Sequence, residues 1–199
     1  KNAVLTILYS FNEHSVDELL KIANDKSANS IKSVNLLCKM AAKGIEEEKI
    51  IDSIIYIMDT FSDENVIATL GFLSQVKNNT KVLKTLEVYF KKYIYDNNIE
   101  SAYDITLSII NNVGNYTTEQ LIFLKAVAIS DEVLELSMIL KDEKGTFDLS
   151  SVPEDLRLKA TLSFYSLYNK DEEINSKLMY LRDNSLDIEL RKYLTEILE

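Results

Sequence analysis

Four glycines and a single proline serve a chain of 199 residues, and tryptophan is absent. A β-sandwich or barrel needs turn residues about every 8–12 positions, so this chain is poorly supplied for one. Histidine and cysteine occur once each, as His14 and Cys38. One histidine excludes Cys/His zinc clusters and two-histidine metal helices. It also excludes the paired Glu-x-x-His motifs of a di-iron bundle and removes the usual general base. One cysteine excludes an internal disulfide framework. Phosphate loops, dinucleotide fingerprints and nucleophile elbows are missing, since all four glycines stand alone. No apolar run approaches the ~18 residues that span a bilayer. The inventory therefore points to no catalytic residue, no metal and no cofactor, and the chain reads as a non-enzyme.

Hydrophobic residues make up 46% of the chain, which is ordinary for a folded protein and too high for a disordered one. The net charge is −10, which argues against nucleic acid, because a phosphate backbone is held by clustered Lys and Arg. Residues 131–199 carry sixteen acids against nine bases, so the acidic excess lies in that third. The first residue is Lys1, and a fragment or a processed mature chain is expected. A cytoplasmic location is the simpler expectation, with a secreted or lipid-anchored mature chain left open.

Apolar spacing is helical almost throughout. It predicts helices over 3–11, 16–25, 29–43, 46–60, 63–76, 79–96, 99–112, 118–129, 131–142, 152–168, 171–182 and 187–198. Capping boxes are predicted at Ser15–Glu18, Thr117–Gln120 and Ser151–Glu154, each a hydroxyl residue with Glu or Gln three places on. Pro153 then falls in a first helical turn, where its missing N–H costs nothing. Gly44 and Gly114 follow apolar-periodic runs, where a left-handed residue is expected. Gly71 lies inside "VIATLGFLSQV" and is expected to mark a close helix–helix contact. The fold class is all-α, with short polar turns that force neighbouring helices antiparallel. One domain, 1–199, is expected, with 143–151 as the place for any internal boundary.

A shift of 34 residues aligns Leu156-Arg157 with Leu190-Arg191, and "LKATL" at 158–162 with "LKAVA" at 124–128. "PEDLRLKATLSFYSL", with Pro153, Leu156, Arg157 and Ala160, resembles the first half of a HEAT-type unit. At the superfamily level the chain is similar to HEAT and tetratricopeptide helical repeats. The resemblance covers residues 118–199 better than the first half. It implies helical hairpins stacked as an α-α superhelix, with one surface binding a peptide or helix. A compact helical bundle is the alternative architecture, and a structural or regulatory domain of a cell-envelope lipoprotein the alternative role.

Several residues invite a chemical role and have a plainer one. Cys38, in "VNLLCKMAA", reads as a buried structural thiol, and His14 as an exposed turn residue. The triplets Glu46–Glu48 and Asp171–Glu173 open helices, where negative charge complements the macrodipole. "KGTFD" looks like the middle of a calcium loop. With Gly145 in sixth place, however, Leu140, Lys144 and Ser151 occupy ligand positions, so no calcium site is expected. Asn78 and Asn115 head Asn-x-Thr triplets in predicted turns, at a frequency that chance supplies.

The surface expected to carry function is a basic one. In the stretch 77–92, Lys77, Lys81, Lys84, Lys91 and Lys92 fall within one arc at helical spacing. Val82, Leu83, Leu86, Tyr89, Phe90 and Tyr93 occupy the other side. The lysines, with Tyr89 and Tyr93 as aromatic anchors, are the candidate contact residues for an acidic protein or peptide partner. An anionic membrane surface is the other surface such a stripe would suit.

Overall fold

The computed structural model describes residues 15–129, 133–150, 152–168 and 172–198. The predicted helix 3–11, His14, Asp171 and the cap at Ser151 lie outside them. Ten α-helices occur among the described residues: α1 (Val16–Asn24), α2 (Ser30–Ala41), α3 (Glu47–Met58), α4 (Asp63–Leu73), α5 (Thr80–Tyr95), α6 (Ile99–Val113), α7 (Thr118–Ile129), α8 (Glu154–Tyr168), α9 (Glu172–Asn184) and α10 (Ile188–Leu198). The protein is all-α, with one minute antiparallel hairpin between α7 and α8. The chain divides into two compact units, residues 1–90 with 104–115 and residues 91–103 with 116–199.

In the first unit α1 packs on α2 and α3, α2 also on α3 and α4, and α3 on α4. Each helix therefore touches its neighbour and the next but one. The core is built from one stripe per helix: Leu19 of α1, Val34, Leu37 and Cys38 of α2, and Ile50, Ile51 and Ile54 of α3 are fully buried. Burying each large aliphatic chain contributes about 1.5–3 kcal/mol over leaving it exposed. Two hydroxyls join the first hairpin across its helices. Ser33 donates to the Leu19 carbonyl at 2.8 Å and Ser30 to that of Ile22 at 3.2 Å.

Helix ends explain how so few glycines suffice. After α2, Gly44 is left-handed (φ 79°), with Gly44 N–H on Ala41 O and Ile45 N–H on Met40 O; this pair of bonds is a Schellman cap. After α5 the same two bonds close around Asn97 (φ 54°), from Asn97 N–H to Ile94 O and Asn98 N–H to Tyr93 O. Asparagine tolerates the left-handed region better than most side chains, so it replaces glycine there. Gly114 is also left-handed, at φ 74°. The Thr117–Gln120 box forms reciprocally, Thr117 N–H to Gln120 Oε1 at 2.9 Å and Gln120 N–H to Thr117 Oγ1 at 3.3 Å. The predicted box at Ser15 does not form, since Ser15 has helical φ/ψ and makes no side-chain cap bond. Gly71 differs from expectation too: a Cβ there would meet nothing within 4 Å, so no neighbouring helix demands a glycine.

In the second unit α7 packs on α8 and α9, and α10 on α8 and α9. Phe123, Leu124, Ala160, Leu178, Leu190 and Leu194 are fully buried. Tyr165 Oη donates to the Ile197 carbonyl at 2.8 Å. The predicted helix 131–142 is overturned over its described part. Leu134–Glu135 pairs antiparallel with Thr146–Phe147, enclosing a 3-10 turn, Leu136–Met138. Apolar spacing suited a helix, but tertiary burial decides otherwise. Leu136, Ile139, Leu140, Phe147 and Leu149 are all buried, and the Phe147 ring lies 6.0 Å from that of Phe123. Folding Phe147 back onto Phe123 requires the reversal made at Asp142 (φ 67°) and Gly145 (φ 143°).

Candidate binding surface

The residues of the basic stripe are divided between the two compact units. Lys77, Lys81, Lys84 and Tyr89 belong to the first unit, and Lys91, Lys92 and Tyr93 to the second. Lys77 Nζ donates to both the carbonyl and Oδ1 of Asn111. It is part of a polar clasp at the end of α4, in which Asn111 Nδ2 donates to Ser74 Oγ and Asn112 Nδ2 to the Val76 carbonyl. Lys81 Nζ lies 2.8 and 2.9 Å from the two carboxylate oxygens of Asp52 on α3. That hydrogen bond raises the Lys81 pKa, with the charges of Asp52 and Glu48 adding to it. Lys84 and Lys91 are exposed. Lys92 Nζ sits 5.2 Å from the ring centroid of Tyr93, and Tyr93 itself is only 2% exposed. Its ring is therefore core rather than a contact anchor. Tyr89 is half-buried, and its phenol pKa is raised by burial and then by the Asp59 and Asp63 carboxylates.

What the first unit does present is a groove of about 670 Å³ between α1 and α3. From α1 come Asp17, Leu20, Lys21 and Asn24, one face at helical spacing. From α3 come Asp52, Ser53, Tyr56 and Ile57. Tyr56 is 78% exposed, although no other large apolar side chain of α3 is exposed. Its partners in sequence, Asp52 and Ser53, lie one turn earlier on the same face. This signal was legible beforehand: a lone tyrosine in "IIDSIIYIMD" sits on the polar side of an otherwise apolar helix.

Charge around the groove is arranged in pairs. Lys21 Nζ is 2.6 Å from Glu18 Oε1, and Lys49 Nζ is 2.9 Å from Asp17 Oδ1 and 2.6 Å from Glu46 Oε2. These hydrogen bonds raise both lysine pKa values, from Glu18 in the first case and from Glu46, then Asp17, in the second. Such exposed pairs add little stability, because solvent screens them. Their effect is on which charges remain available. Glu47 accepts from Asn79 Nδ2 at 2.7 Å, while Asn79 Oδ1 caps α5 through the N–H groups of Lys81 and Val82.

The remaining candidates have structural places. Cys38 is fully buried and its thiol pKa is pushed up to about 12 by desolvation. Asn78 and Asn115 are exposed in turns. Among the described residues, no group of three or more His, Cys, Asp or Glu could hold a metal ion, and no helix is long and apolar enough to cross a membrane. No family model, no curated protein and no solved structure matches the chain.

Proposed function

We propose that the chain is a non-catalytic protein-interaction module that binds a peptide or helix along the groove between α1 and α3. The carrying observation is Tyr56, an exposed ring in a groove whose flanking helices commit their other faces to the core. Tyrosine suits a contact anchor because it offers a large rigid area at low entropic cost and a polar tip. The packing of helices on the next but one in the chain, α1 on α3 and α2 on α4 in one unit and α7 on α9 and α8 on α10 in the other, supports reading the architecture as stacked hairpins of the HEAT or tetratricopeptide kind. In such arrays alternate helices line the binding surface, and α1 and α3 stand in that relation. The hydroxyl, amide and carboxylate groups of the groove serve orientation, and no bond is made or broken. Panning a displayed library of random twelve-residue peptides tests this reading. Enriched peptides should lose about tenfold in affinity on Tyr56→Ala. An absence of enriched peptides, or peptides indifferent to Tyr56, contradicts it.

A further inference from the structure

The sequence suggests an acidic partner on a lysine stripe, whereas the charges that face the groove point the other way. Of the charged residues that line the groove, Asp17 and Asp52 are carboxylates and Lys21 is a lysine, while Lys49 of α3 stands beside Asp17. Both lysines are already engaged, Lys21 by Glu18, and Lys49 by Asp17 and Glu46. The nearest lysine of the stripe, Lys81, is held on Asp52. Among the described residues each of these three lysines thus has a carboxylate beside it, and the lining carries one more acid than base. Asp17 Oδ1 lies 2.9 Å from Lys49 Nζ, and Asp17 is 72% exposed and lines the same groove as Tyr56.

From this complementarity we infer that the occupant of the groove is a basic segment of a partner protein, anchored by an arginine or lysine whose cation lies on the Tyr56 ring and whose N–H groups reach Asp17. The inference deepens the proposed groove and rests on it. An aromatic face attracts a cation by about 0.5–1 kcal/mol at exposed sites, and a guanidinium paired with a carboxylate gains a charge-assisted hydrogen bond as well. In the described lining a carboxylate-bearing peptide would meet Lys21 already held by Glu18 and two carboxylates, Asp17 and Asp52. Leu20 and Ile57, at the floor of the groove, supply apolar contact for the stem of a long cationic side chain.

The experiment uses three labelled nine-residue peptides of alternating sequence, Arg with Leu, Lys with Leu, and Glu with Leu, read by fluorescence anisotropy. The arginine and lysine peptides are expected to bind at least about tenfold tighter than the glutamate peptide, with the preference shrinking as salt rises from 50 to 500 mM, since exposed charges are screened. Tyr56→Ala and Asp17→Asn should each weaken the arginine peptide several-fold. Tyr180→Ala should not, because Tyr180 is an exposed tyrosine of the other unit. Equal or tighter binding of the glutamate peptide overturns the inference and leaves the groove standing. Binding of the arginine peptide that ignores both Tyr56 and Asp17 overturns it as non-specific attraction. If no peptide of any charge binds, groove and inference fall together.

Discussion

In both units helices pack on the next but one in the chain, yet the two units finish differently. In the first, α1–α4 leave no large apolar side chain exposed but Tyr56, and α3 alone places Ile50, Ile51, Ile54, Ile57 and Met58 inside. In the second, the α9–α10 hairpin leaves Met179, Tyr180, Leu186 and Ile188 exposed, Leu186 at 97%. Pairing follows from short turns and helical spacing, which both regions share. Burial depends on how many neighbours a helix has, and α3 packs on α1, α2 and α4 whereas α9 packs on α7 and α10. A hydrophobic residue in this chain is therefore worth what its neighbours make of it, and the two hairpins give different answers to the same substitution.

The largest expected effect tests that contrast. Ile54→Ala should cost about 3 kcal/mol, within the usual range for emptying a buried aliphatic site, while Leu186→Ala should stay within about 0.5 kcal/mol. Urea denaturation compares them directly, and equal costs would break the comparison. The buried thiol of the first unit provides a second handle. Its pKa is raised from 9.0 to about 12 in the folded protein, so the unfolded chain loses that proton first. Stability from this group is intact below pH 9 and falls as pH rises toward 12, by about 1.4 kcal/mol per pH unit. Cys38→Ala should flatten the alkaline slope by that amount. A slope unchanged by the substitution would show the thiol to be solvated.

The smallest effects concern two glycines. Gly71→Ala should stabilise the protein by up to about 1 kcal/mol, because a helical glycine is entropically costly and the site is open. Gly145→Ala should destabilise it, since φ is 143° and the new Cβ would stand 2.9 Å from Leu136 Cδ1. Thermal melts with the same sign for both would show that local backbone demand does not separate them.

Most helices were legible because helical spacing of apolar residues dictates them directly, and α1, α7 and α10 begin within a residue of the positions the sequence predicts. The hairpin at 133–147 was not legible, because its cause is the distant ring of Phe123 holding Phe147. Caps divided in the same way. Thr117 and Gln120 meet locally, so their pattern sufficed, whereas the Ser15 pattern occurs without the bond. Lys81, Lys84, Lys91 and Lys92 lie on α5 and Lys77 in the turn before it, but what the stripe offers a partner depends on Asp52 and Asn111, which come from other helices. No one-dimensional pattern announces that Lys81 is spoken for. Tyr56 was visible as an odd residue on a polar face, and only the opposition of α1 to α3 turns it into the side of a groove.

Hydrogen exchange of the whole chain, with and without the tightest-binding panned peptide, tests the central claim most directly. Protection confined to α1 and α3, and abolished by Tyr56→Ala, is the expected result. Protection centred on α5, or on the α9–α10 hairpin, would contradict the assignment of the groove as the binding surface.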